Sequence, residues 1–172
     1  MNKVIPTIVQ STTAGFTPAF PFTGIDGDRH ADAFAVIASI VGVPLFEVFK
    51  QAEALGLPKT GPYSHCVDSE LISSLLAAYG WACSEWKEVT SLTHFPTLSI
   101  CIVDYDEEWE VGRYIWVHSG AKCSHNGAVL TYCADPSAID LKLQIRTDIK
   151  ALKPSWYLGL QPMKAASTSA KK

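Results

Sequence analysis

Cysteine and histidine are the residue types in this chain that could do covalent or metal chemistry, and they concentrate in two places. In "YSHCVDSEL" Cys66 sits just before an apolar helical pattern. A helix N-terminus favours the thiolate, and His65 is its neighbour in sequence, so Cys66 is one alternative nucleophile with a histidine as base. Sequence neighbours rarely appose their side chains, however, and the competing reading is an inert, partly buried thiol. Further on, "HSGAKCSHNGAVLTYC" brings His118, Cys123, His125 and Cys133 into one 16-residue stretch. Two cysteines and two histidines suit tetrahedral zinc, although this spacing matches no usual knuckle. Cys123 with His125 is a further thiol–imidazole option, and His30, His65, His118 and His125 are the candidate bases. The plainer reading makes Asn126-Gly127 a hairpin turn and leaves Cys133 in the core. No cofactor is expected.

The five cysteines are an odd number, dispersed, with no CxxC pair. Reduced thiols and a cytoplasmic location are expected on that basis. Cys101 in "LSICIV" reads as a small hydrophobe. Among the five tryptophans, Trp109 stands apart because it lies in the acidic run "DYDEEWEVG", where it is a candidate surface anchor for a partner. The others read as core or partial core.

Composition narrows the classes. The chain has 172 residues, 48% hydrophobic and 18% charged, with Lys+Arg 14 against Asp+Glu 17 and a net charge of -3. That length suits one domain. The charge gives no case for nucleic acid or an anionic membrane surface. Ala33 to Val43 is among the longest apolar runs and falls short of the roughly 20 residues of a spanning helix. The first residues carry one lysine and no long apolar core, so no secretory signal is expected.

The elements that must position these groups are legible in outline. Residues 1–24, with three prolines, read as an extended lead-in packing its aromatics onto a single domain over 25–163. The small polar "KAASTSAKK" reads as a disordered tail over 164–172. Helical spacing predicts a helix over 31–42 with Phe34, Ile37, Ile40 and Val41 on one face, stopped by Gly42. A second runs over 45–55 after Pro44 and ends at Gly56. A third runs over 69–79 between the cap Asp68 and Gly80. The period then changes to β over 97–105, 113–120 and 127–136, with residues 139–146 and 155–160 adding one more strand and irregular packing. Helices followed by strands predict an α+β fold with an antiparallel sheet over 97–160.

Taken in order, "RHADAFAVIASIVGVP", "EVFKQAEALG", "TGPYSHCVDSELISSLLAAYGW", "FPTLSICIV", "GRYIWVHSG" and "VLTYCADP" resemble the papain-like cysteine peptidases of the double-glycine-leader, bacteriocin-processing type. The resemblance covers about Asp28 to Pro136. It implies a papain-like fold, with N-terminal helices packed on a C-terminal antiparallel sheet. It also implies a thiolate at the start of the central helix, a histidine on a facing strand and an acid that orients the histidine.

Matched residue by residue, the family's "ALA" falls on Ala33-Phe34-Ala35, which puts Arg29, or His30 with a one-residue slip, at the nucleophile's position. Arg113 takes the histidine's position and Asp135 the orienting acid's. A guanidinium stays protonated and is neither nucleophile nor base. The resemblance therefore implies the fold without the family's activity. Two arginines and a carboxylate would suit an anion or an acidic peptide terminus; alternatively, Arg113 pairs with Asp135 and closes the cleft. The leading expectation is a non-catalytic relative that binds a peptide or protein partner through Arg29, His30, Arg113 and Asp135, with Trp109 as a further contact. The alternative is an active cysteine hydrolase, a peptidase or amidase using Cys66 or Cys123. A third reading is a structural or interaction protein without a working cleft. No nucleic acid and no membrane span are expected, and the oligomeric state is left open.

Overall fold

Glycines at or just past each C-terminus, and one polar N-cap at Asp68, mark out three ten-residue helices in the first half of the chain: α1 (Asp32–Val41), α2 (Leu45–Ala54) and α3 (Ser69–Ala78). Gly42 ends α1 at φ 73°, a left-handed conformation that glycine adopts without strain. Asp68 caps α3 by accepting the Leu71 N–H at 2.8 Å. The computed structural model describes residues 3–25, 31–59 and 67–164. The expected tail therefore lies outside the described residues, Lys164 excepted.

The predicted apolar stripe of α1 understates its burial. Every residue from Asp32 to Ile40 is buried. The alanines let neighbours approach the sides that Phe34 and Ile37 do not cover. Ser39 is satisfied within the core: its hydroxyl donates to the Ala35 carbonyl at 2.9 Å and accepts the Thr23 N–H at 3.0 Å.

The strands are β1 (Ile8–Val9), β2 (Ser11–Thr12), β3 (Gly15–Phe16), β4 (Trp81–Glu88), β5 (Leu98–Asp106), β6 (Val111–Cys123), β7 (Val129–Ala134), β8 (Ile145–Arg146) and β9 (Pro154–Pro162), with a short helix α4 (Leu141–Gln144) before β8. The main sheet runs β4-β9-β5-β6-β7-β8 and is antiparallel along this path. β1 adds a parallel pairing to the far end of β6, and β2 and β3 form a separate two-stranded ribbon. The fold is thus α+β, with a mostly antiparallel sheet.

Both faces of the sheet are covered. Along β5, Leu98 and Ile100 face the helices, while Cys101 and Val103 join Ile115, Val117 and Cys133 in a smaller core on the reverse face. Phe95, Ile149 and Leu152 complete that second core. On the helix side, Trp116 and Tyr132 are among the largest fully buried side chains, and each such burial contributes roughly 1.5–3 kcal/mol or more. Phe20 from the lead-in packs edge-on against Trp81, Trp116 and His118, so the N-terminal segment does bring aromatics to the core.

Two expectations need correction. The sheet begins at Trp81, not near residue 97: β4 is an edge strand. A register shift between Cys83 and Trp86 breaks its period, so Trp81, Cys83 and Trp86 all reach the helix-side core without strict alternation. Residues 139–146 yield one helical turn, because Asp140 caps it through the Lys142 N–H, and only two strand residues. Within the lead-in, β1 pairs with β6 and so adds to the sheet.

Among the described residues no single helix is long and apolar enough to cross a membrane. α1 and α2 together pass by length and composition, but they bend by 109°.

Candidate functional site

The hairpin between β5 and β6 sets the first group in place. Gly112 stands where an added Cβ would collide with Ile102 Cγ2 and lie 3.1 Å from the Val103 carbonyl oxygen, so the two strands can close only with glycine there. The next residue, Arg113, reaches two carboxylates. Its Nη1 donates to Asp135 Oδ2 at 2.6 Å and its Nη2 to Asp104 Oδ2 at 2.7 Å. Burial opposes the guanidinium's charge, but the two carboxylates outweigh it and hold the group above its ordinary pKa. Asp135 is a buried acid just after β7, and its Oδ1 also accepts the Ser137 N–H at 3.0 Å. The β6–β7 pairing puts Trp116 opposite Ala134, which is why residues 22 positions apart meet. Asp104 reaches Arg113 from a β5 irregularity, with φ 48°.

The fourth group was not singled out from the sequence. Asp32 opens α1 and is buried; its Oδ1 accepts the Ala33 N–H at 2.9 Å and its Oδ2 accepts the Tyr114 N–H at 2.7 Å. This carboxylate thus ties the start of α1 to β6 at the residue after Arg113. Burial pushes its pKa up to about 6, although both N–H groups and the Arg113 charge favour the anion. An acid in a helix's first turn is so ordinary a feature that only the long-range partner distinguishes it.

The expected anion site is described only in part. The described groups are three carboxylates, Asp32, Asp104 and Asp135, around one guanidinium. Arg29 and His30, shortly before Asp32 in sequence, lie outside the described residues, as do His65 and Cys66.

The remaining candidates separate. His118 is fully buried on the helix-side face, with Nδ1 3.0 Å from the Tyr132 hydroxyl, whose oxygen accepts the Ala19 N–H at 2.8 Å. The hydroxyl has both a proton to give and a second lone pair, so the direction of the His118–Tyr132 hydrogen bond follows the imidazole tautomer. Burial lowers its pKa, with the Pro6 backbone opposing. Cys133 points to the opposite face of the sheet, which is why the four-residue zinc set cannot converge: strand alternation sends its members to different sides. Among the described residues no group of three His, Cys, Asp or Glu side chains could hold a metal ion.

Cys123 ends β6 half-buried, while His125 is exposed in the following turn with its N–H on Ser11 Oγ at 3.0 Å. Burial pushes the Cys101 and Cys133 thiols up to about 12, so neither is a thiolate near neutral pH. No hydrogen bond joins a sulfur to an imidazole among the described residues. Trp109 is 71% exposed at the hairpin tip, in a turn held by Asp106 Oδ1 accepting the Glu108 and Trp109 N–H groups.

Compared with known families and curated proteins, the chain matches no family model and no curated sequence.

Proposed function

We propose that this chain is a non-catalytic, papain-like protein that binds a peptide, free or as part of a protein partner, where the start of α1 meets Arg113. One observation carries the reading. Arg113, to which the resemblance gives the proton acceptor's position, is a guanidinium held between Asp104 and Asp135, and the next residue's N–H bonds Asp32 in the first turn of α1. A fixed positive charge flanked by carboxylates orients and binds; it transfers no proton. Arg29 and His30 belong to the same proposed cleft by their position in the resemblance, and Trp109 is a proposed outer contact.

The test uses the amides that bracket Asp32. The full-length protein, labelled with 15N, is titrated with acetylated and amidated pentapeptides Gly-Gly-X-Gly-Gly, where X is lysine, norleucine or glutamate. The Ala33 and Tyr114 amides, both hydrogen-bonded to Asp32, are expected to shift in a saturable way with at least one peptide. Failure of every peptide to move them overturns the cleft. Charge reversal at Arg113 is a poor substitute for this test, because a third carboxylate beside Asp104 and buried Asp135 would threaten the fold itself.

A further inference from the structure

Beyond the last fully covered row of the helix-side face, where Trp116, Ile100 and Leu158 lie in register, comes a row that no described helix crosses. It consists of Tyr114, Ile102 and Trp156, directly opposite one another on β6, β5 and β9. Cross-strand partners share a face. Tyr114 and Trp156 thus rise on either side of Ile102, two strand spacings or about 10 Å apart. Trp86 closes a corner, its ring edge-on to Tyr114 at 6.3 Å between centroids. Together with Tyr105 of the hairpin and the residues entering α3, these side chains line a space of about 310 Å3, within the size range of ligand clefts, about 300–1,000 Å3.

The rim is acidic. Asp68 and Glu110 line the space, and no lysine or arginine does so among the described lining residues. Glu88 stands opposite Trp156 on the edge strand. Asp68 uses Oδ1 to cap α3, and a carboxylate keeps acceptor capacity beyond one such bond. The groove adjoins the Asp32 site, because the Tyr114 whose ring lines it donates its backbone N–H to Asp32.

We propose that this groove takes one lysine or arginine side chain of the bound peptide, its cation between the Tyr114 and Trp156 rings and its charge answered by Asp68 and Glu110. The inference rests on the peptide-binding reading and names what such a peptide carries. Aromatic faces attract a cation within about 6 Å of the ring, and a site midway between rings about 10 Å apart meets that distance for both. Ile102 as floor accepts the aliphatic stem. An apolar side chain would use the rings but leave the carboxylates unanswered; an acidic one would meet like charge.

The same three pentapeptides test the groove, read at the indole N–H signals of Trp86 and Trp156. The lysine peptide is expected to shift both indoles and to bind about tenfold more tightly than the norleucine peptide, with the glutamate peptide weaker still. Two variants keep the fold while removing the recognition: Trp156→Leu, at a position 38% exposed, and the pair Asp68→Asn with Glu110→Gln, in which asparagine still caps α3. Each is expected to erase the lysine preference. Equal binding of lysine and norleucine peptides, or a preference untouched by both variants, overturns the groove. Shifts at Ala33 and Tyr114 without lysine preference discard the groove and keep the cleft. Shifts at the indoles and Tyr114 but not at Ala33, with that preference, keep the groove and discard the cleft. No shift with any peptide discards both.

Discussion

Arg113→Met is expected to lower the unfolding free energy by about 3 kcal/mol, whereas Asp104→Asn lowers it by less than about 1 kcal/mol. The two partners of one guanidinium differ in burial. The Asp135 side chain is 4% exposed and that of Asp104 is 40% exposed. Removing the arginine leaves Asp104 with water and leaves Asp135 charged in the protein, retaining only the Ser137 N–H at Oδ1. An uncompensated buried charge typically costs about 3–5 kcal/mol, and the guanidinium's own 34% exposure places this case at the low end. The control is the double variant Arg113→Met with Asp135→Asn. Its amide still accepts the Ser137 N–H and carries no charge, so most of the loss should return. Chemical denaturation of the four proteins reads all these values. An Arg113→Met variant as stable as the parent would show that the pair holds nothing.

The second large effect is a pH dependence of unusual sign for a carboxylate. Burial pushes the Asp32 carboxyl from the ordinary 3.8 up to about 6. A raised folded-state pKa means that between about pH 4 and 6 the native protein holds a proton that the unfolded chain has released. Stability from this group is therefore full below about pH 4 and is lost as pH rises through about 6. At ~1.4 kcal/mol per pH unit the loss approaches about 3 kcal/mol by neutral pH. Other carboxylates act in the opposite direction; Asp148, held low by its hydrogen bonds to Arg146, is one. Subtracting the stability of Asp32→Asn from that of the parent isolates the residue. The difference should become less favourable to the parent from pH 4 to 6.5, and the Asp32 carboxyl carbon should titrate near 6. A midpoint below 4, or a difference that rises over that interval, contradicts the burial argument.

Much of the frame behind these effects was legible because the relevant signals are local. Gly42, Gly56, Asp68 and Gly80 stop or cap helices within a turn of where they stand, and runs such as "TLSICIV" declare a strand buried on both faces. β4 escaped because its bulge changes the spacing between Cys83 and Trp86, so neither a two-residue nor a helical period fits. β1 has only two residues, Ile8 and Val9, and exists by pairing with Lys122 and Cys123, more than a hundred positions away.

The site divides in the same way. The sequence offered Asp135 as a partner for Arg113, and the two are hydrogen-bonded. Asp32 and Asp104 passed unnoticed because their roles depend on partners brought by the β5–β6 hairpin and by α1 docking on β6, which no local pattern encodes. The zinc set does not assemble because the β6–β7 register, shifted between His118 and Ala121, sets His118 opposite Tyr132 and Cys133 opposite Val117, on the other face.

The proposed function puts Arg113, a charge that binds and does not catalyse, in the place that the resemblance gives to the proton acceptor. The most direct test incubates the full-length protein with the Gly-Gly-Lys-Gly-Gly peptide and follows the mixture by mass spectrometry. Intact peptide throughout, with no acyl adduct on any of the five cysteines, is the predicted result. Peptide cleavage that a thiol-directed electrophile abolishes, or an acylated Cys66 or Cys123, would contradict it.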